Sequence, residues 1–399
     1  MAVITFGGLC IILSWILLGA NATKHNIIRG PDSSKPRFIV YLTGQHNVVP
    51  EPPLVAHVTH VALAFMRSEV FNVPNQKDWP LFTTVAEVRP KFADGTQIQV
   101  AIGGWGNTDG FSKAAKTEGS RKLFAANIKT MVDMTGADGV DIDWEYPGGN
   151  GEDYKQHSNP EKAWEIEAYT QLLAEIRAAI GPSKIISAAV PGLERDMIAF
   201  TNSTLPKIKE SVDFLNVMTY DLMNRRDNVT KHHSGTSGSK DALRLYSDRG
   251  FRAPELNLGL GFYVKWFKTA SNETPSTGAD LGKAGAFSWH DEVPPELANS
   301  FKRALENGVD DGTGADFRGH YYMDKQERIF WSWDTPSSVC TKLDLFFHVG
   351  NNIGGLFVWG LGEDAPRYEH LKAVNKALQA PESETGLWLE DYANDHQEL

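Results

Sequence analysis

The chain has 399 residues, of which 41% are apolar, 11% aromatic and 22% charged, a balance that supports a large buried core and excludes bulk disorder. With 39 basic against 50 acidic residues the net charge is −11. That charge excludes nucleic acid and anionic membrane surfaces as electrostatic partners and favours a neutral or cationic substrate.

The first segment, Met1 to Ala22, carries the apolar run Gly8 to Gly19 and ends in Ala20-Asn21-Ala22, the small-x-small form of a secretory cleavage site. The run is shorter than the roughly 20 residues a membrane span needs, so a removed signal peptide and a secreted, extracellular protein are expected. Cys10 lies in this leader, and Cys340 alone cannot form an internal disulfide. Sequons at Asn202, Asn228 and Asn272 suit the same route.

Beyond the leader, eight β-branched or aromatic runs predict buried strands: Phe38 to Leu42, Val58 to Phe65, Ile98 to Ile102, Gly139 to Trp144, Ile185 to Val190, Phe214 to Tyr220, Leu256 to Tyr263 and Ile353 to Trp359. Helical spacing over Arg121 to Met134 and Trp164 to Ile180 falls between them, the latter stopped by Gly181-Pro182. Strands alternating with helices predict parallel βαβ units, and eight of them predict a closed (β/α)8 barrel of the α/β class. The alternative, a doubly wound sheet, calls for a glycine-rich phosphate turn after an early strand, and none follows Phe38 to Leu42.

The stretch between the last two strands is too long for one helix, so an insertion over residues 268–340 is expected to wall one side of a cleft. The domain reading is therefore a signal peptide at 1–22, a catalytic barrel at 23–380 and an acidic tail at 381–399. The tail ends in His396-Gln397-Glu398-Leu399, close to a retention address of the endoplasmic reticulum lumen, the alternative location.

The densest chemical signal is Asp138-Gly139-Val140-Asp141-Ile142-Asp143-Trp144-Glu145-Tyr146-Pro147. Side chains on a strand alternate faces, so Asp141, Asp143 and Glu145 share one face, and Val140, Ile142 and Trp144 the other. In a barrel strand the acidic row lines the interior and climbs to the rim, where crowded carboxyls resist full ionisation and keep a proton near neutral pH. Glu145, nearest the rim, is the expected donor. Divalent-metal binding is the competing use of such a row, although no His or Cys sits nearby in sequence. Asp138 has the opposite parity and is read as a supporting residue.

Three further segments end strands. Gly103-Gly104-Trp105 combines glycines that allow close backbone approach with a large aromatic. Met218-Thr219-Tyr220-Asp221 puts Met218 and Tyr220 on one face, with Asp221 at or just past the rim. Gly354 to Gly360 carries Trp359, an indole suited to the floor of a sugar subsite. Each alone also fits ordinary core packing.

Together, in this order, these segments resemble glycoside hydrolase family 18, the chitinase family with its DxxDxDxE strand motif, over roughly Phe38 to Leu371. The resemblance implies a retaining hydrolase of β-1,4-linked N-acetylglucosamine polymers, chitin or chito-oligosaccharides. In it Glu145 protonates the glycosidic oxygen while the substrate's own acetamido oxygen is the nucleophile. It further implies that Asp143 holds the acetamido N–H, that Tyr220 holds its oxygen, and that Asp141 shares a proton with Asp143. Trp359, Trp105, Tyr41, Phe65, Met218, Asp221, Tyr146 and Tyr263 are the expected substrate contacts. Under this sugar-hydrolase reading no metal or organic cofactor is implied. The expected partner is the oligosaccharide, with no nucleic acid or membrane after leader removal, and a monomer.

Two positions depart from the family pattern: Ala101 stands where Ser is usual, and Lys265 where Arg is usual. An endo-β-N-acetylglucosaminidase acting on N-glycans and an inactive chitin-binding lectin are the alternatives, the latter opposed by an intact Glu145.

Overall fold

The structure is a computed structural model and describes residues 36–271, 283–347 and 352–379. The leader, Asn272 and the acidic tail lie outside the described residues. Among the described residues no helix is long and apolar enough to cross a membrane.

Barrel strands β1 (Arg37–Thr43), β2 (His60–Met66), β3 (Gln97–Gly103), β4 (Gly139–Asp143), β5 (Ile185–Pro191), β6 (Phe214–Met218) and β7 (Leu256–Gly261) follow the predicted runs. An insertion supplies β8 (Tyr263–Lys268), β9 (Ala284–Ser288), β10 (Val309–Asp311), β11 (Gly319–Asp324) and β12 (Ile329–Trp333). The final barrel strand is β13 (Gly355–Trp359). Eight parallel strands close in the order β1-β13-β7-β6-β5-β4-β3-β2, the expected (β/α)8 barrel.

Alternation divides the core in two. Phe38, Val40, Leu42, Val61, Leu63, Val100 and Ile102 pack outward on the helices, among them Glu118–Thr135 and Glu165–Ile180. The first of these helices begins in a capping box between Thr117 and Ser120 and ends at Gly136, whose φ of 71° is one that glycine tolerates. Facing inward are Ile39, Tyr41, Ala62, Ala64, Ala101, Ala189, Phe214 and Phe357. The alanines among them leave the room that the carboxyls of β4 occupy; Ala101 is the register partner of Asp141.

The insertion is an antiparallel sheet in the order β10-β11-β12-β8-β9. One face is covered by helix Ala298–Asn307, with Phe301 and Ala304 packed on Phe287, Trp331 and Trp333. The other packs Phe267, Met323 and Phe330 against Met223, from the loop after β6.

Candidate active site

Along β4 the acidic row climbs as its alternation requires. Asp141, Asp143 and Glu145 are 0%, 3% and 8% exposed, so the row runs from the barrel interior to the floor of a cleft. Trp144 points the other way and stacks on Phe111, with ring centroids 5.3 Å apart and planes 10° apart. The cleft has a volume of about 950 Å³ and is walled on one side by β8 and β9 of the insertion. Asp143, Glu145, Tyr146, Met218, Tyr220, Asp221, Tyr263, Phe65, Trp105 and Trp359 all line it.

Asp141 is fixed from three sides. Tyr41 Oη donates to Oδ2 at 2.7 Å, while Ser187 Oγ and Asn216 Nδ2 donate to Oδ1 at 2.5 and 3.2 Å. Asn216 is itself held by Asn257, which accepts from Arg37. Burial raises the Asp141 pKa, and the three donors oppose the rise. The hydroxyl missing at Ala101 is thus met from β1 and β5. Tyr41, 1% exposed and with its hydroxyl donated to Asp141, lies beneath the cleft and not among the residues that line it.

Asp143 has the Glu145 carboxyl as its side-chain hydrogen-bonding neighbour, and its Oδ1 is buried with no protein partner among the described residues. Burial raises the Asp143 pKa well above its usual range, and the Glu145 and Asp141 charges add to the rise. Glu145 is pushed up to about 7 by burial; the Tyr146 phenol opposes this, and Asp221 and Asp196 reinforce it. The consequence is a carboxylic acid that holds its proton near neutrality at the cleft floor.

The glycine pair works by proximity. Gly103 and Gly104 have φ of 110° and 88°; a Cβ on the first would lie 2.2 Å from the Asp143 carbonyl oxygen, and one on the second 2.5 Å from the Phe65 ring. Gly104 N–H donates to that same carbonyl at 2.9 Å, which clamps β3 to β4 beside the acids. Phe65 stacks on Trp359 with centroids 5.4 Å apart and planes 22° apart, and Tyr41 backs the indole. Trp105 is 52% exposed and meets Tyr146 edge-on, so it stands at the rim and not in the core.

Tyr220 lies against Tyr263 and Phe357. Asp221, in the left-handed region at φ 53°, accepts from Tyr263 Oη and Lys265 Nζ, each at 2.7 Å. Partial desolvation at the cleft rim works to raise its pKa, but Lys265 and His233 hold it below the usual carboxylate range. Lys265, at the position where the family carries Arg, therefore ties the insertion to the loop after β6.

Asp138 sits at the opposite end of β4. It accepts from Ile98 N–H at 2.7 Å and Arg89 at 3.0 Å, outside the cleft. Asp213 repeats the device by accepting from Ile186 N–H and Arg177. Sequence reasoning missed Ser187, Asn216 and Glu363. The first two are isolated polar residues inside strands, a signal that a search for buried polar positions could have used; Glu363 lies in a turn and has none. Among the described residues no cluster of His, Cys, Asp and Glu is arranged to hold a metal ion.

Comparison with known proteins agrees with this geometry. Residues 37–364 match the family model described as Glycosyl hydrolases family 18. Chitinase 63 of Streptomyces plicatus is 26% identical over 328 residues, covering 78% of this chain and 50% of that protein. Chitotriosidase-1 of Mus musculus is 28% identical over 251 residues, covering 57% and 52%. The chain spans about half the length of such curated relatives. Among solved structures, a family 18 N-acetylglucosaminidase from Paenibacillus barengoltzii aligns with a TM-score of 0.67 at 20% identity, covering 86% of this chain and 100% of that one. A Group IV chitinase of Ostrinia furnacalis gives 0.66 at 18%, covering 87% and 100%. The matched span takes in all eight barrel strands, including the one that carries the acidic row, and the chain belongs to glycoside hydrolase family 18.

Proposed function

We propose that the protein is a chitinase that cleaves β-1,4-linked N-acetylglucosamine polymers with retention, using Glu145 as acid and then as base. The observation that carries this reading is the placement of the Glu145 carboxyl, 8% exposed on the floor of an open cleft, where burial pushes its pKa up to about 7. The relatives named as chitinases support the substrate class.

In this mechanism a sugar lies over Trp359 with its apolar face on the indole. Glu145 gives its proton to the glycosidic oxygen, and the acetamido carbonyl oxygen attacks the anomeric carbon to form a cyclic oxazolinium-like intermediate. Asp143 Oδ1, buried without a protein partner, is the acceptor available to the acetamido N–H. Tyr220, which lines the cleft, is assigned to the acetamido oxygen. Water then opens the intermediate as Glu145 recovers a proton from it, so the anomeric configuration is restored. Asp141, held by its three donors, anchors the foot of the row beneath the intermediate.

Glu145→Gln is expected to lower hydrolysis of chitotetraose by roughly 100- to 10,000-fold while its binding, measured by calorimetry, persists. Product analysis on defined oligosaccharides reads the anomeric outcome in the wild type. A Glu145→Gln variant that cuts at near wild-type rate, or a wild type that binds and releases no reducing ends, overturns the proposal.

A further inference from the structure

A second carboxyl lines the cleft on the side of the barrel opposite the acidic row. In the closed order of strands β13 lies four places from β4 in either direction, and the turn Leu361–Glu363 follows β13 directly. Gly362 lets this turn press on the loop after β1, since a Cβ there would lie 2.1 Å from the His46 carbonyl oxygen. From the insertion, Trp289 N–H donates to the Glu363 carbonyl at 3.3 Å. Three elements thus fix Glu363, whose side chain faces the cavity although the residue is 8% exposed.

Among the described residues the Glu363 carboxyl has no hydrogen-bond or ion-pair partner. Its pKa is pushed up to about 7 by burial and by the charge of Asp291. Asp291 also lines the cleft and meets His46 at 3.5 Å. The cationic side chains of the cleft are engaged elsewhere: Lys265 with Asp221 at 2.7 Å, Arg226 with Asp196 at 2.7 Å, and Arg225 over the Tyr154 ring. An enclosed carboxyl next to a second acid that the His46 imidazole meets, with no protein cation on the carboxyl itself, is best satisfied by a cation from the ligand. A fully acetylated chain offers none. A glucosamine residue that has lost its acetyl group offers a primary ammonium.

We propose that Glu363, with Asp291 beside it, forms a subsite for the ammonium of a de-N-acetylated glucosamine residue, which makes partially deacetylated chitin the preferred substrate. This rests on the chitinase reading above, because the reacting sugar must keep its acetamido group. The free amine therefore falls at a different sugar, across the barrel from Glu145.

The test digests a partially deacetylated chitin oligosaccharide mixture at pH 7 and sequences the products by mass spectrometry. Wild type is expected to enrich glucosamine at one fixed position relative to the cut by at least about fivefold, and Glu363→Gln and Asp291→Asn to reduce that enrichment. No enrichment in the wild type, enrichment that survives both changes, or a Glu363→Gln variant that slows acetylated and deacetylated substrates equally overturns the proposal. Failure to cut even fully acetylated chitopentaose would reject the enzymatic reading instead. In that case titration with fully deacetylated chitotetraose still reads the subsite: it binds at least about fivefold more weakly to Glu363→Gln if the proposal holds, and with equal affinity if it does not.

Discussion

The chemistry at Glu145 comes down to the cost of ionising one buried carboxyl. Its pKa lies above the usual carboxylate range, so the protonated acid is fully present at low pH and is lost as pH rises through about 7. The alkaline limb of kcat on chito-oligosaccharides is therefore expected near pH 7. Asp221→Asn, which removes one of the charges holding Glu145 high, is expected to move that limb to lower pH. A limb at pH 9 or above, unmoved by the change, would mean that another group supplies the proton. The acidic row was legible in sequence because a strand repeats every two residues, so three acids at that spacing specify one face without any knowledge of the fold. The partners of Asp141 were not. Tyr41, Ser187 and Asn216 come from strands distant in sequence, and only closure of the barrel brings their donors onto one carboxylate.

At the scale of elements, the barrel strands announce themselves as apolar runs because both of their faces are buried. The insertion was legible only as a length too great for one helix. Its order depends on β8 pairing with β12 across more than sixty residues, which local patterning does not encode. The contact of β3 with β4 leaves no room for a side chain at Gly103. Gly103→Ala places a methyl 2.2 Å from the Asp143 carbonyl at a φ of 110°. It is expected to cost more than about 2 kcal/mol in denaturant unfolding and to lower activity by displacing Asp143. A variant with wild-type stability would show that the strands can part there at little cost.

For the whole molecule, the site is a burden on stability at high pH. A carboxyl whose folded pKa is raised contributes stability that is complete below its unfolded pKa and is lost as pH rises through the folded value, and Asp141, Asp143 and Glu145 all shift upward. Thermal melting of wild type should therefore fall between about pH 5 and pH 8 relative to Glu145→Gln, which carries no charge there. The variant is expected to melt a few degrees higher at pH 8 and about equally at pH 4. Equal melting at both pH values would show that Glu145 titrates as an ordinary surface carboxyl.

The barrel and its insertion are joined with almost no slack. β7 ends at Gly261 and β8 starts at Tyr263, which leaves only Phe262 between them. Its N–H is bound to the Trp359 carbonyl at 2.7 Å, and its ring rests on His370 with centroids 5.2 Å apart. A door needs a hinge, and this junction has none. The wall of the groove at this junction takes its place when the chain folds, because Phe262 alone links the two strands and is itself held on both its backbone and its ring.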